Sequence, residues 1–164
     1  MISLVNSQES TTNYTAAITR LARAIIMSDG EFSLLLACCN VQRQQQIVSW
    51  LEEFSSADIR EILIPPCEST LYTPLINAMG TTQPEALIVR GLESVVEINQ
   101  LIISTNLMRD EFRKQFPFPV VLWVNDEIVR KLVWLAPDLK DWAGSTIRFD
   151  VPNHEFIEQT AFSA

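Results

Sequence analysis

The sequence has no glycine-rich phosphate loop, a single histidine, an odd three cysteines and no block of lysine or arginine, and each shortage removes a class of chemistry. In a nucleotide-binding α/β domain the first strand-to-helix turn is where phosphates sit, because glycines admit close backbone approach and helix N–H groups point at the anion. The corresponding turn reads Cys38-Cys39-Asn40-Val41-Gln42-Arg43-Gln44-Gln45, with no glycine, no lysine and no Gly-Lys-Ser/Thr ending. Any Ser-His or Cys-His mechanism must use His154, and no Gly-x-Ser-x-Gly elbow accompanies it. One histidine does not supply an ordinary structural zinc centre, and Cys38, Cys39 and Cys67 lack Cys-x-x-Cys spacing. The three read as buried or semi-buried thiols of a reducing compartment. A net charge of −8 without a basic block argues against nucleic acid or an anionic membrane as partner. No apolar run reaches the roughly 18–20 residues of a membrane span. Residues 1–12 lack the charged-then-apolar plan of a signal peptide, so the cytoplasm is the expected compartment.

What is present is a strand–helix alternation. Tyr14, Ile18, Leu21 and Ile25 recur at helical spacing, widened by Ala17, Ala22 and Ile26, and Asp29-Gly30 ends that helix. Residues 32–39 are apolar almost throughout, as in a strand covered on both faces. Asn40 can cap the next helix, with Ile47, Trp50, Leu51 and Phe54 on its core side and 42–46 in its solvated first turns. A second strand over 59–64 is closed by Pro65-Pro66, and Thr73-Pro74 opens a short helix ended by Gly80. The third strand spans 85–91. Ser94 and Glu97 have capping-box spacing before one long helix whose buried stripe is Leu101, Met108 and Phe112. A fourth strand over 118–124 leads to a helix capped by Asn125 or Asp126, with Ile128, Leu132, Val133 and Leu135 as its stripe and Pro137 as its interruption. A last, more polar strand over 145–151, carrying Arg148 and Asp150, is expected at an edge.

This order predicts an α/β three-layer sandwich, an open, mainly parallel five-stranded sheet with helices on both faces. The expected organisation is a flexible N-terminus (1–12), one α/β domain (13–151) and a tail or linker (152–164).

The chemistry-bearing positions read blandly. The third strand ends in Arg90-Gly91 where a magnesium-holding carboxylate would be expected, and Glu93, the nearby acid, suits a helix start. Asn125 falls where a phosphate-sensing residue could sit but reads better as a cap. The paired acids of a phosphoacceptor receiver domain are replaced by Cys38-Cys39-Asn40 and Arg90-Gly91. Trp50, Trp134 and Trp142 fall at helical positions and Trp123 in a strand. Most are expected in the core, with one or two at an interface.

The segments Phe32-Ser-Leu-Leu-Leu-Ala-Cys-Cys-Asn40, Arg90-Gly-Leu-Glu93, Asn106-Leu-Met-Arg-Asp-Glu-Phe112, Pro119-Val-Val-Leu-Trp-Val124 and Leu135-Ala-Pro-Asp138 with Trp142 resemble a domain of bacterial, notably cyanobacterial, multidomain proteins. That domain is similar to the cores of signal-transducing NTPases (STAND) in a degenerate, inactive, P-loop-NTPase-like form. The likeness spans roughly 14–150. It implies regulated assembly in signalling or defence, and brings no catalytic residue, cofactor or metal to this chain. The expected function is therefore a non-enzymatic module that binds a protein partner or a second copy, through Trp134, Trp142, Phe156, Ile157 and Phe162. Two alternatives stay open: an enzyme or small-ligand binder at the strand ends around Cys39, Cys67, Arg90 and Glu93, and a nucleotide sensor without Walker motifs.

Overall fold

A computed structural model describes residues 2–28, 30–54 and 58–149. Its elements are α1 (Ile2–Met27), β1 (Ser33–Cys38), α2 (Val41–Phe54), β2 (Ile59–Leu63), α3 (Tyr72–Met79), β3 (Ala86–Arg90), α4 (Ile98–Leu107), α5 (Arg109–Gln115), β4 (Pro119–Val124), α6 (Asp126–Leu135), α7 (Pro137–Ala143) and β5 (Ile147–Arg148). The strands form one sheet in the order β2-β3-β4-β1-β5, and every pairing is parallel. The three strands read as continuously apolar, β1, β3 and β4, lie inside the sheet, and the more polar β5 lies at an edge. No helix among the described residues is long and apolar enough to cross a membrane.

Strand alternation divides the core in two. Leu34, Leu36 and Cys38 of β1, with Leu87, Val89, Val120, Leu122 and Val124, face the layer built from α3 to α7. Ala37, Cys39, Ile88, Val121 and Trp123 face α1 and α2, where Ile18, Leu21, Ile25, Ile47 and Leu51 close over them. Both layers are deep. Trp123 is fully buried, its ring centroid 5.4 Å from that of Phe149. Its Nε1–H is the one buried side-chain N or O among the described residues without a hydrogen-bond partner. On the other face Tyr72, Phe112, Phe116 and Phe118 form a run of edge-on and tilted rings, with centroids 5.4–5.8 Å apart.

Several local expectations are corrected. The first helix starts at Ile2, well before the apolar spacing begins. Ser94 does not cap α4. Gly91 takes a left-handed conformation (φ 91°), which starts a 3-10 turn over Leu92–Ser94, and α4 begins only at Ile98. The long helix is two helices, broken at Met108. Two contacts accompany the break: Asn106 Oδ1 accepts the Leu139 N–H of α7 at 3.0 Å, and locally the Asn106 carbonyl accepts from the Arg109 side chain at 2.7 Å. The bend lets Phe112 and Phe116 enter the core. Val133 is exposed rather than buried, because five residues on from Ile128 it sits about 140° round the helix. Trp134 is exposed as well, whereas Trp50 packs against the core.

Candidate functional site

The connections place one crevice. After β1 the chain crosses toward β2; after β4 it crosses the opposite way, over β1, to β5. β1 and β4 are neighbours, so their carboxyl ends bound the topological switch point, where open α/β sheets take their ligands.

The polar groups there are engaged with one another. Asn40 caps α2, its Oδ1 accepting the Arg43 N–H at 3.1 Å, and Asn125 caps α6, accepting the Ile128 N–H at 2.9 Å. Each helix N-terminus facing the crevice thus carries a polar side chain of its own chain. From the edge strand, Arg148 Nη1 donates to Asp126 Oδ1 at 2.5 Å and to Cys38 Sγ at 3.5 Å, and the Cys38 thiol lies 3.9 Å from the same carboxylate. The hydrogen bond donated to Asp126 holds the Arg148 guanidinium above its ordinary range, against the opposing pull of partial burial. Backbone bonds close the floor: Cys39 N–H donates to the Val124 carbonyl at 3.1 Å, and Phe149 N–H to the Cys38 carbonyl at 3.0 Å.

A second cluster sits at the β2–β3 end. Arg90 donates to Gln44 Oε1 at 3.3 Å and Gln45 Oε1 at 2.8 Å, and forms an ion pair with Glu61. Gln44, expected in a solvated turn, is only 1 % exposed, because Arg90 supplies the donor that lets an amide be buried there. The neighbouring Gly91 has no room for a side chain. A Cβ at that position would lie 3.0 Å from the Ile64 carbonyl oxygen and 2.9 Å from Leu63 Cδ1. The absence of a carboxylate at 91 therefore has a steric reason as well as a chemical one.

Each of the four residues of the expected ligand edge has its own setting at or just after the carboxyl end of a strand. Cys39 is buried on the α1–α2 side, with its thiol donating to the Asn40 carbonyl at 3.3 Å. Cys67 is exposed in the loop after β2, which corrects the reading of all three as buried or semi-buried thiols. Glu93 is half-buried in the 3-10 turn. Arg90 takes Gln44, Gln45 and Glu61 as partners rather than the other three. No group of three or more His, Cys, Asp and Glu side chains that could hold a metal occurs among the described residues. His154 lies outside them.

The tryptophans of the expected interface differ. Trp142 is half-buried, edge-on to Phe32 at 6.3 Å, with the Arg113 guanidinium 4.3 Å over its ring. Trp134 is 83 % exposed. Phe156, Ile157 and Phe162 lie outside the described residues.

Sequence reasoning found the two caps, since Asn directly before a helical pattern is a local signal. It missed the Arg148–Asp126–Cys38 contact and the buried Gln44, which join residues far apart in the chain and leave no mark in spacing. Comparison with protein-family models and with curated proteins finds no match.

Proposed function

We propose that this chain is a non-enzymatic protein-interaction module, an α/β body of inactive NTPase-like character that acts by assembly, as its resemblance to the STAND cores implies for bacterial signalling or defence. One observation carries the reading. At the β1–β4 switch point the polar groups are taken up by the chain's own side chains: Asn40 and Asn125 cap the helix N-termini, and Arg148 bonds Asp126 and Cys38 at the rim. A phosphate entering there would compete with Asp126 for Arg148 and displace a cap that satisfies an otherwise orphaned helix N–H. Surface composition supports the same reading, because Trp134 and Leu107 stand 83 % and 77 % exposed on the outer helix layer.

The test is a thermal-shift series on the full chain with ATP, GTP and their magnesium complexes. Ligand binding to the folded state raises the melting temperature by mass action, by about 2.7 kcal/mol of stabilisation at a hundredfold excess over Kd. The expected result is no shift at millimolar nucleotide. A reproducible rise that Arg148→Ala abolishes would replace the interaction module with a nucleotide sensor.

A further inference from the structure

The outer layer from α4 to α7 carries an exposed apolar ridge. α4 and α6 both follow parallel strands of one sheet, so they run in the same direction. Their register is fixed where Lys131 Nζ donates to Asn99 Oδ1 at 2.7 Å. One turn further along both helices, on the same side as that contact, come Ile103 on α4 and Trp134 on α6; Leu107 follows one turn later. Ile103 is 42 % exposed, Leu107 77 % and Trp134 83 %. Side chains of this size standing together along a helix–helix groove are a surface that water covers poorly.

The charge of the molecule says what can cover it. The whole chain carries −8, yet between residues 98 and 143 six basic and six acidic side chains cancel. The stretch bearing Trp134, from the start of α4 to the end of α7, thus carries no net charge in an acidic chain. Outside that stretch the described residues carry ten acidic and six basic side chains, so two copies meeting through those segments would oppose like charges. The ridge is also flanked by both signs at each end: Glu127 and Arg130 lie on the turns before Trp134, and the Arg109–Asp138 pair lies beyond it. A two-fold axis at Trp134 brings the first end of one copy to the second end of the other, setting Arg130 toward an aspartate and Glu127 toward an arginine.

We infer that the partner taken by the α4–α6 ridge is a second copy of this chain, in a two-fold dimer centred on Trp134. The inference rests on the interaction-module reading and gives it an occupant. Trp134 meets its symmetry mate at the centre, Ile103 and Leu107 border it, and the mixed charges form the rim.

Sedimentation velocity and light scattering of the full chain, over a hundredfold concentration range, test it. The expected wild-type species has twice the mass of the 18.6 kDa chain. Trp134→Glu is expected to weaken association by roughly thirtyfold or more, as truncating a central tryptophan does. Its far-UV circular dichroism should stay unchanged, because the side chain contributes little to the core, and its melting temperature should fall only by the share that association supplied. Leu107→Ser should weaken association too. Leu63→Ser, an equally exposed leucine on β2, should not. A wild-type chain that is monomeric throughout overturns the dimer. So does a Trp134→Glu variant that associates normally. If Leu63→Ser dissociates the dimer while Trp134→Glu does not, the ridge is the wrong face and the interaction reading survives. Nucleotide stabilisation in the thermal-shift series instead removes the reading on which the dimer rests.

Discussion

Replacing Gly91 by alanine tests how tightly the β3 carboxyl end is built. Gly91 has a φ of 91°, a conformation that costs a residue with a Cβ about 1–2 kcal/mol. Space adds to conformation. The new Cβ would sit 3.0 Å from the Ile64 carbonyl oxygen and 3.3 Å from the Ile64 nitrogen, both backbone atoms. Leu63 Cδ1, at 2.9 Å, can swing away because that side chain is 72 % exposed. Ile64 cannot: it is buried, and its N–H donates to the Arg90 carbonyl at 2.8 Å. Relief therefore opens the chain just past the β2–β3 ladder, a cost of the kind seen on overpacking, about 1–3 kcal/mol. Together the two effects predict a loss of about 2–5 kcal/mol. For a domain of this length that is a fall in melting temperature of roughly 4–20 °C. Urea unfolding followed by circular dichroism, with an unchanged slope and a lowered midpoint, measures it. A loss below about 0.5 kcal/mol would refute the argument, since it would mean that neither the left-handed turn nor the close approach constrains the site.

Removing the caps should act locally: Asn125→Ala and Asn40→Ala are each expected to cost about 0.5–2 kcal/mol in urea unfolding. Arg90→Ala leaves the buried Gln44 amide without its donor, so a loss of about 1–3 kcal/mol is expected. Arg90→Lys should recover part of it, because an ammonium can serve one glutamine but not the fork of both. Breaking the exposed Arg148–Asp126 pair by Asp126→Asn should cost no more than about 1 kcal/mol. A larger loss in that variant would show that the pair anchors β5 rather than merely occupying the crevice.

Much of the fold was legible in the chain. Continuous apolar runs at β1, β3 and β4 require cover on both faces, and alternation with helices then requires parallel crossovers. The caps at Asn40 and Asn125 were legible for the same reason: capping is a contact between residues three apart. The break at Met108 was not, since it comes with Asn106 reaching α7, thirty-three residues away, a contact that leaves no mark in local spacing. Nor was the role of Arg148, whose polarity marked an edge strand without revealing Asp126 as its partner.

Local pattern thus determined which segments are strands, which helices, and that no phosphate loop opens the first crossover. These properties reside in spacing and backbone chemistry within a few residues. The order β2-β3-β4-β1-β5, and with it the choice of β1 and β4 as the crevice walls, was decided only by tertiary packing. So was the exposure of Trp134. A tryptophan beside an apolar stripe looks the same in sequence whether a neighbouring helix covers it or not, and Trp134 stands 83 % exposed. Burial belongs to the assembled layers, because it depends on which surfaces the crossovers bring together rather than on the residue that carries the side chain.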